Sequence, residues 1–305
     1  MKPLIKPIDS DLIEIELKDA GLLRKTNKAG NELYIVDYFS SPNTLAEIGR
    51  LRELTFRDAG GGTGKACDLD KFDIDGSSGC KQLVLWNPDD KEIIGGYRFI
   101  YGQEAKMIEG TPWLTSGHLF DYSNVFIEDF LPSTIELGRS FICPKYQGGP
   151  HLSSTKSLFA LDNLWDGLGA LIVKYNAKYL FGKASIYPSF GEDAFLLMRH
   201  FLDLYFRDSK QLVYAKSPIE MEIPESNKSL FVGNDYKEDY VVLKRELKSL
   251  ERQIPPLINA YMNVSPTMTV FDSTMNAGFG NVYETGLLVR TADMYPEKVK
   301  RHMEF

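Results

Sequence analysis

The sequence predicts an α/β fold of the α+β kind, in which helices flank a mixed central sheet. Segments with the two-residue alternation of strands take turns along the chain with segments of helical periodicity. The chain has 305 residues, of which 43% are hydrophobic and 25% charged, so it has the composition of an ordinary globular protein with a sizeable core. No repeat or long linker divides it, and we predict one domain over residues 1–305 with a decorated C-terminal third from about residue 210.

One long helix and four strands are expected in the first half of the chain. NELYIVDYF (31–39) has the alternation of a strand, and SPNTLAEIGRLRELTFRD after it has helical spacing, with Asn43 or Thr44 as the expected cap. KQLVLWNPDDKEIIGGYRFIYG predicts two strands joined by an NPDD turn. TIELGRSFICP predicts a further strand, which Pro144 ends.

The second half of the chain alternates in the same way. SLFALDNLWDGLGALIVKYNA (roughly 157–177) predicts an amphipathic helix, KYLFGKASIYP the next strand and GEDAFLLMRHFLDLYFRD the helix after it. A charged helical segment, DYKEDYVVLKRELKSLERQ, precedes IPPLINAYMNV. Candidate strands near 268–275 and 284–291 follow.

Charge and composition exclude several classes of protein. The formal net charge of −7 argues against a general nucleic-acid binder, which would present a basic face. No apolar run approaches the roughly 18 residues of a membrane-spanning helix, and the first residues lack the apolar core of a signal peptide, so we expect a cytoplasmic protein. Three separated cysteines and four histidines without ligand spacing predict reduced thiols and no metal site.

The segment GGGTGKA raises the question of a phosphate-binding loop. A nucleotide-binding loop of that type needs Gly, four residues and then Gly-Lys-Ser/Thr, but Ala59 stands where the first glycine belongs and Ala66 where the hydroxyl belongs. The segment before it has helical rather than strand periodicity. We therefore expect no nucleotide site, and we interpret the glycines as flexible backbone ahead of the carboxylates of DLDKFD.

Charged residues within apolar segments give the first indication of a functional site. Such charges are costly to bury unless they are paired or functional. Each one alone fits a surface ion pair or a helix cap. Together they form four short motifs in a fixed order: Arg52-Glu-Leu-Thr-Phe56, Asp70-Lys-Phe-Asp73, Gly95-Gly-Tyr-Arg98 and Glu136-Leu-Gly-Arg139.

This ordered set resembles the autoinducer-synthase-like branch of the GNAT acyltransferases. It is more closely similar to the bacterial ornithine-lipid and glycine-lipid N-acyltransferases, often labelled hemolysin-like, through ELGRSFICPKY, LFALDNLWDGLGALI, KYLFGKASIY and IPPLINAYM. The resemblance runs from about residue 20 to about residue 295. It implies a GNAT-like sheet in which the 157–177 helix follows the third of four adjacent strands, near 81–87, 92–101, 134–143 and 178–186.

The resemblance also implies a reaction: transfer of a 3-hydroxyacyl chain from acyl carrier protein to the α-amine of a small amino acid, of glycine or ornithine type, in aminolipid synthesis. That amine is mostly protonated at neutral pH, so its attack on a thioester needs a base. We expect Glu136 to be that base, directly or through a water, with Asp73 as the alternative and Arg139 as the third catalytic residue. Arg98 or Arg139 would bind the acceptor carboxylate. The residues expected to contact substrate are Arg52, Phe56, Asp70, Arg98 and Ser140.

No permanently bound cofactor is expected, and the acyl donor is the remaining question. PKYQGGPHLSSTKSLF lacks the Gln/Arg-x-x-Gly-x-Gly/Ala loop that cradles the CoA pyrophosphate in common GNAT enzymes. This favours acyl carrier protein over CoA, with Lys145, His151 and Lys156 meeting its acidic surface unless they are ordinary surface charges. The loop AGGGTGKA (59–66) is expected to be a mobile lid beside the acyl chain, the alternative being an ordinary surface loop.

Backbone geometry near Glu136 and Arg139 provides a further expectation. Side chains three positions apart on a regular strand point to opposite faces, so these two share a cleft only if the strand is irregular. Gly138 between them permits a bulge, and bulges recur beside active sites. We therefore predict a bulge or splay within residues 136–141.

Three alternative functions stay open at this stage. One is N-acylation from acyl-CoA, or an enzyme like the acyl-homoserine-lactone synthases, although no S-adenosylmethionine site is evident in the sequence. The second is a non-catalytic acyl-binding module on the same fold. The third is a literal hemolysin, which no spanning segment or cationic amphipathic helix supports. Because a lipid product has to leave for a bilayer, peripheral contact with the inner face of the membrane also stays open.

Overall fold

A computed structural model of the protein describes residues 1–147, 159–220 and 222–305. The α-helices of the described residues are α1 (Ser10–Ala20), α2 (Pro42–Asp58), α3 (Lys71–Ile74), α4 (Ala160–Tyr175), α5 (Glu192–Phe206), α6 (Glu225–Lys228), α7 (Tyr236–Ser249), α8 (Pro256–Met262) and α9 (Pro296–His302). The strands are β1 (Leu22–Lys25), β2 (Glu32–Val36), β3 (Lys81–Asn87), β4 (Glu92–Tyr101), β5 (Met107–Ile108), β6 (Thr111–Pro112), β7 (Phe120–Tyr122), β8 (Thr134–Ile142), β9 (Tyr179–Ile186), β10 (Val213–Ala215), β11 (Thr269–Asn276) and β12 (Val282–Arg290).

Eight of these strands form one mixed sheet in the order β1-β2-β3-β4-β8-β9-β12-β11. Every neighbouring pair is antiparallel except β8 and β9, which run parallel. The strands β3, β4, β8 and β9 are adjacent in that order, and α4 follows β8 along the chain. The predicted mixed sheet flanked by helices, with this strand order, is therefore confirmed.

The parallel strands β8 and β9 are paired at one end only. Their register runs from Thr134 opposite Tyr179 to Leu137 opposite Gly182, and no residue beyond that point is paired. Gly182 permits the last close approach, because a Cβ there would lie 2.5 Å from the carbonyl oxygen of Leu137. Beyond Leu137 the two strands separate and leave a gap between them.

The irregularity predicted for residues 136–141 is present in β8. The pairing of β4 with β8 slips by one residue, so that Tyr97 alone faces both Arg139 and Ser140. Arg139 has a φ of +49°, in the left-handed region that a non-glycine residue rarely adopts. Two residues opposite one, with the first of them left-handed, make a β-bulge. The predicted bulge is confirmed.

Helices cover the sheet on both faces. On one face α4 packs closely, since a Cβ at Gly167 would come within 2.7 Å of the Leu83 side chain. On the other face lies α2, because its residue Arg52 bonds to Gln82, whose side chain alternates with that of Leu83 along β3. The side chains of Phe120, Phe126 and Phe181 form a second buried cluster beneath the segment that connects β6 to β8.

The start of α2 differs from the sequence expectation. Neither Asn43 nor Thr44 caps the helix, and Ser41 at the cap position makes no side-chain cap bond. Glu16 of α1 replaces the cap, since its carboxylate accepts hydrogen bonds from the backbone N–H groups of Asn43 (3.0 Å) and Thr44 (2.7 Å). The orphan N–H groups of a helix end are thus satisfied by a neighbouring helix, which no local pattern predicts.

The close approach at Gly182 generates a first prediction. Gly182→Ala is expected to lower the free energy of unfolding by about 1–3 kcal/mol, because the added methyl group forces β9 away from Leu137. Chemical denaturation of the purified variant measures the change. The matched control is Gly278→Ala, where the added Cβ would lie no closer than 3.6 Å to another atom, and equal losses in the two variants would contradict the prediction.

Candidate active site

A buried ionic network lies on the α2 face of the sheet. Arg52 of α2 is fully buried and donates to the Asp73 carboxylate at 3.1 Å. Arg98 of β4 donates to the other oxygen of Asp73 at 3.1 Å and to Asp70 at 2.7 Å. Gln82 completes the set by donating its amide N–H to Asp73 at 2.9 Å. Three of the four motifs that lie apart in the sequence, those of Arg52, Asp73 and Arg98, therefore converge on the Asp73 carboxylate.

The short helix α3 presents both aspartates through its own capping. Asp70 accepts from the backbone N–H of Phe72 at 2.8 Å, and Asp73 accepts from the backbone N–H of Asp70 at 3.0 Å, which makes a capping box. Burial raises the pKa of Asp73, but Arg52 and Arg98 lower it more, so the carboxylate is ionised. Burial lowers the pKa of Arg98, whereas Asp73 and Asp70 raise it above its ordinary value.

The bulge brings Arg139 to the same side of the sheet as Arg98. In a regular strand Arg139 would point to the α4 face, but its Nε lies 2.9 Å from a carboxylate oxygen of Asp68 and its Nη2 lies 3.7 Å from Asp70. The Nε–H has no hydrogen bond of ordinary geometry, although the ion pair is close. The guanidinium also lies 4.8 Å from the centroid of the Phe279 ring. Among the described residues no hydrogen bond engages the terminal Nη1 and Nη2 of Arg139, so these two donors are left for another ligand.

Glu136 faces the same side of the sheet, but its carboxylate is engaged in hydrogen bonds to the protein itself. Its carboxylate accepts from the backbone N–H groups of Thr115 and Ser116, both at 2.8 Å, and from the Ser116 hydroxyl at 2.5 Å. The side chain is only 2% exposed, and it has no ion-pair partner among the described residues. Glu136 lines neither of the two cavities described next. Its assignment as the catalytic base stays a prediction.

The gap between β8 and β9 opens into a cavity of about 940 Å³, called the apolar cavity. Side chains from both strands and from the segment around α8 line it, among them Phe141, Leu180, Tyr187, Phe190, Leu257 and Val289. Phe56 of α2 and Ser140 of the bulge also reach its wall. An elongated apolar ligand would fit between the separated strands.

A second cavity, of about 650 Å³ and called the polar cavity, lies on the other side of the bulge. Charged side chains on its wall include Asp70, Arg98, Asp121, Lys71, Lys183 and Lys216. His118 also lines it, on the turn that Glu136 holds. Four residues line both cavities and mark their junction: Gly138, Arg139, Lys183 and Phe279.

The predicted site residues divide between these surfaces. Asp70, Arg98 and Arg139 line the polar cavity, Phe56 and Ser140 the apolar one, and Arg52 and Asp73 stay behind the wall as buried partners. Lys145 is exposed and bonds to Glu92 at 2.7 Å. His151 and Lys156 lie outside the described residues.

The glycine loop 59–66 lies at the rim of the apolar cavity through Ala59. The buried carboxylate of Glu53 accepts from the backbone N–H and hydroxyl of Thr63 at 3.0 and 2.7 Å, and from the N–H of Gly64 at 2.7 Å. These contacts hold the loop in place as part of the wall. Its movement as a lid stays a prediction.

Sequence reasoning missed a second buried ion pair at the junction. Glu284 of β12 is fully buried and bonds to Lys183 of β9 and, at 2.8 Å, to the Ser185 hydroxyl. Burial raises the pKa of Glu284, but Lys183 lowers it by more, so the pKa lies below its ordinary value. Glu284 is a charged residue within the apolar run VYETGLLVR, which is the same pattern that indicated Glu136, so the sequence did carry a signal for this residue. His118 had no such signal.

Two further properties of the described residues bear on function. No group of three or more histidine, cysteine or acidic side chains in them is placed to hold a metal ion. No helix in the described part of the chain combines the length and hydropathy that crossing a membrane requires.

Comparison with known proteins supports the resemblance seen in the motifs. A family profile described as Acetyltransferase (GNAT) domain matches residues 51–156. The glycine N(alpha)-acyltransferase of Phocaeicola vulgatus is 46% identical over 307 aligned positions, covering 100% of this chain and 93% of the relative. That of Bacteroides thetaiotaomicron is 44% identical and covers 100% and 90%. A solved CoA-dependent acyl-homoserine lactone synthase aligns with 90% of this chain and 95% of its own, with a TM-score of 0.35 and 12% identity.

The ionic network generates a second prediction. Asp73→Asn is expected to lower the free energy of unfolding by about 3–5 kcal/mol, because it leaves Arg52 and Arg98 without their shared buried counter-charge. Denaturant titration at pH 7 measures the loss. Asp11→Asn, which removes an exposed partner of Lys91, is the control and is expected to cost less than about 1 kcal/mol.

The pH dependence of stability tests the same network. The folded-state pKa of Asp73 lies below its unfolded value of about 3.9, so its contribution is present above that pH and is lost as the pH falls through the folded value. Wild-type protein is therefore expected to lose stability more steeply than Asp73→Asn between about pH 4 and pH 2. Parallel curves for the two proteins would show that folding does not lower the pKa of Asp73 and would contradict the prediction.

Proposed function

Because the chain belongs to the GNAT N-acyltransferase family of these glycine N(alpha)-acyltransferase relatives, we propose that it transfers a long fatty acyl group from a thioester to the α-amine of glycine. N-acyltransferase activity follows from membership of this family. The same membership argues against the two alternatives of a non-catalytic acyl-binding module and a lytic protein. The acceptor, the donor and the pathway are the proposed parts.

The observation that carries the proposal is the meeting of two cavities of different character at the bulge. The acyl chain fits the apolar cavity between β8 and β9, and the amino acid fits the polar cavity. Gly138, Arg139 and Lys183 line both, so a thioester carbonyl and an amine brought to these residues come into contact. Positioning two reactants in this way supplies much of the rate of an acyl transfer.

The chemistry requires few groups from the protein. The neutral amine attacks the thioester carbonyl, the tetrahedral oxyanion collapses to the amide, and the thiolate leaves and takes up a proton. At the bulge, Arg139 and Ser140 are not paired in register with any residue of β4. A backbone N–H group at this point is therefore our proposed hydrogen-bond donor to the oxyanion. A base has to remove a proton from the acceptor ammonium before it attacks.

Charge in the polar cavity favours glycine over ornithine as the acceptor. The cavity wall carries the cationic side chains of Lys71, Arg98, Arg139, Lys183 and Lys216 and the acidic ones of Asp70 and Asp121. Arg98, Arg139 and Lys183 are also paired with carboxylates buried behind the wall, so the preference comes from which charges lie nearest a ligand and not from a net charge. The carboxylate of an amino acid is attracted to that wall, whereas the second ammonium group of ornithine is repelled. Arg139 is the proposed partner of the carboxylate, because its guanidinium lines the junction and its Nη1 and Nη2 make no hydrogen bond among the described residues.

The proposed donor is an acyl carrier protein, with acyl-CoA as the alternative. The sequence between Pro144 and Phe159 lacks a recognisable pyrophosphate loop, and a carrier arm has one phosphate in place of the CoA pyrophosphate. An N-acyl amino acid with a long chain is an amphiphile, so the product belongs to aminolipid synthesis and leaves for a membrane surface. Peripheral contact with a membrane is part of this proposal.

Mass spectrometry of a reconstituted reaction tests the function directly. Purified protein is incubated with a long-chain acyl carrier protein or the matching acyl-CoA, and with glycine, alanine, serine or ornithine. The expected result is an N-acylglycine product, a kcat/KM at least tenfold higher for glycine than for ornithine, and faster transfer from the carrier. Equal use of all four acceptors would refute the proposed glycine specificity, and no product with any acceptor or donor would refute the proposed reaction.

A third prediction concerns Arg139. Arg139→Gln is expected to raise the KM for glycine at least tenfold, because the guanidinium is lost from the wall that receives the carboxylate. The measurement is initial rate against glycine concentration, with thermal stability recorded because Asp68 loses its partner. Arg290→Gln, at an exposed arginine 3.8 Å from Asp293, is the matched control and should leave the KM unchanged. A folded Arg139→Gln protein with the wild-type KM would exclude this role.

A further inference from the structure

A tight turn from Thr115 to His118 lies beside the polar cavity, and Thr115, Gly117 and His118 of the turn line it. Glu136 anchors its start by accepting from two successive backbone N–H groups and one hydroxyl, as described above. The turn lies against the bulge, because a Cβ at Gly138 would come within 3.4 Å of the Thr115 hydroxyl oxygen. A side chain on this turn is therefore held at a fixed place beside the junction of the two cavities.

His118 is the titratable residue that this turn presents. Its Nδ1 lies 2.9 Å from the carbonyl oxygen of Thr115, and because a carbonyl only accepts, Nδ1 must carry the proton. The neutral imidazole therefore has its lone pair on Nε2. Nε2 has no hydrogen-bond partner among the described residues, and His118 lines the polar cavity. The arrangement is that of a general base whose tautomer is set by a backbone carbonyl.

We infer that Nε2 of His118 removes the proton from the α-ammonium of the acceptor, and that Glu136 is a positioning residue that holds the turn carrying His118. This inference rests on the proposed function and assigns its base. The first proton moves from the ammonium nitrogen to Nε2, and the freed lone pair attacks the thioester carbonyl. The imidazolium gives that proton to the departing thiolate, and the nitrogen of the tetrahedral intermediate loses its second proton through Nε2 to water. Atoms and charge balance without any further reactant.

Burial, aided by nearby cations, favours the neutral form of His118. Burial lowers the pKa of the imidazole, and the nearby cations Lys183 and Arg139 lower it further. The Thr115 carbonyl and Glu284 act in the opposite direction, but the pKa lies below its ordinary value of 6.5. The other charged groups of the cavity wall are Asp70, Arg98, Asp121, Lys71 and Lys216. A histidine among cations accepts a proton only transiently, as a base in a catalytic cycle should.

The carboxylates near the junction are poorer candidates for the base. Asp70 is engaged by Arg98 at 2.7 Å, and Asp121 is paired with Lys216 at 3.6 Å. Glu136 is buried behind the wall, and its three accepted hydrogen bonds are all to the turn. Of these groups, His118 alone combines access to the polar cavity with a free lone pair.

Replacement of His118 provides the test. His118→Asn keeps a side-chain N–H for the Thr115 carbonyl but cannot take a proton. We expect its kcat to fall by a factor of about 10²–10⁴, with the KM for glycine within threefold of wild type. In His118→Gly, added imidazole is expected to restore part of the lost rate. The matched control is His200→Asn, a histidine that lines neither cavity and should keep the wild-type rate.

The pH profile separates a base from a structural residue. For wild type, kcat/KM for glycine at saturating donor is expected to fall only below the lowered pKa of His118 and to be flat from pH 7 to 8, because neutral His118 acts on the ammonium form. For His118→Asn, the value should rise about tenfold per pH unit across pH 6–8, because only the free amine reacts. The same profile in both proteins would overturn the inference.

Glu136 is tested in the same assay. If it positions His118, Glu136→Gln lowers kcat by about threefold to tenfold, keeps the flat wild-type pH profile, and adds no further loss in the His118→Asn background. If Glu136 is itself the base, Glu136→Gln loses as much rate as expected for His118→Asn, and His118→Asn stays active, which overturns the inference. Wild-type protein that acylates no amine would instead refute the proposed function.

Discussion

The left-handed backbone of Arg139 is the constraint on which the arrangement of the site depends. A regular β8 would send Arg139 to the α4 face and leave Glu136 alone on the other face. The bulge reverses this, so the guanidinium reaches Asp68 and Asp70 while Ser140 turns into the apolar cavity. A non-glycine residue in this conformation costs on the order of 1–2 kcal/mol. The ion pairs of Arg139 and the packing of Phe279 stabilise a conformation that the sequence alone disfavours.

The bulge and the separation of β8 from β9 act together to join the two cavities. The separation of the strands supplies space for an acyl chain. The bulge interrupts the pairing of β4 with β8 at the point where this apolar cavity meets the polar cavity. Gly138 has no side chain to close the passage, and Lys183 flanks it from β9. Strands of the sheet therefore form the junction and much of the apolar cavity, whereas loops, among them the turn that carries His118, form most of the polar cavity.

Periodicity predicted the large elements of the fold, because β3, β4, β8, β9 and α2 have strong apolar patterns. It did not predict α1, β1 or the short elements between residues 102 and 133. The bulge was predictable because Glu136 and Arg139 flank a glycine at a spacing that a regular strand does not allow. His118 was not, since its position depends on the bond between Glu136 and the Thr115–Ser116 backbone, residues far apart in the sequence.

The acidic groups of the site lie mostly behind its cations. Asp68, Asp73 and Glu284 are buried and pair with Arg139, with Arg52 and Arg98, and with Lys183 respectively, so a substrate lies nearer the cations than these three carboxylates. Such a wall attracts a carboxylate. A carboxylate base in the same place would pair with the cations, which would lower its pKa and make it a weaker proton acceptor. A neutral imidazole avoids this conflict, because it carries no charge for the cations to pair with before it accepts a proton. The same cations that bind the acceptor thus favour histidine as the group that deprotonates it.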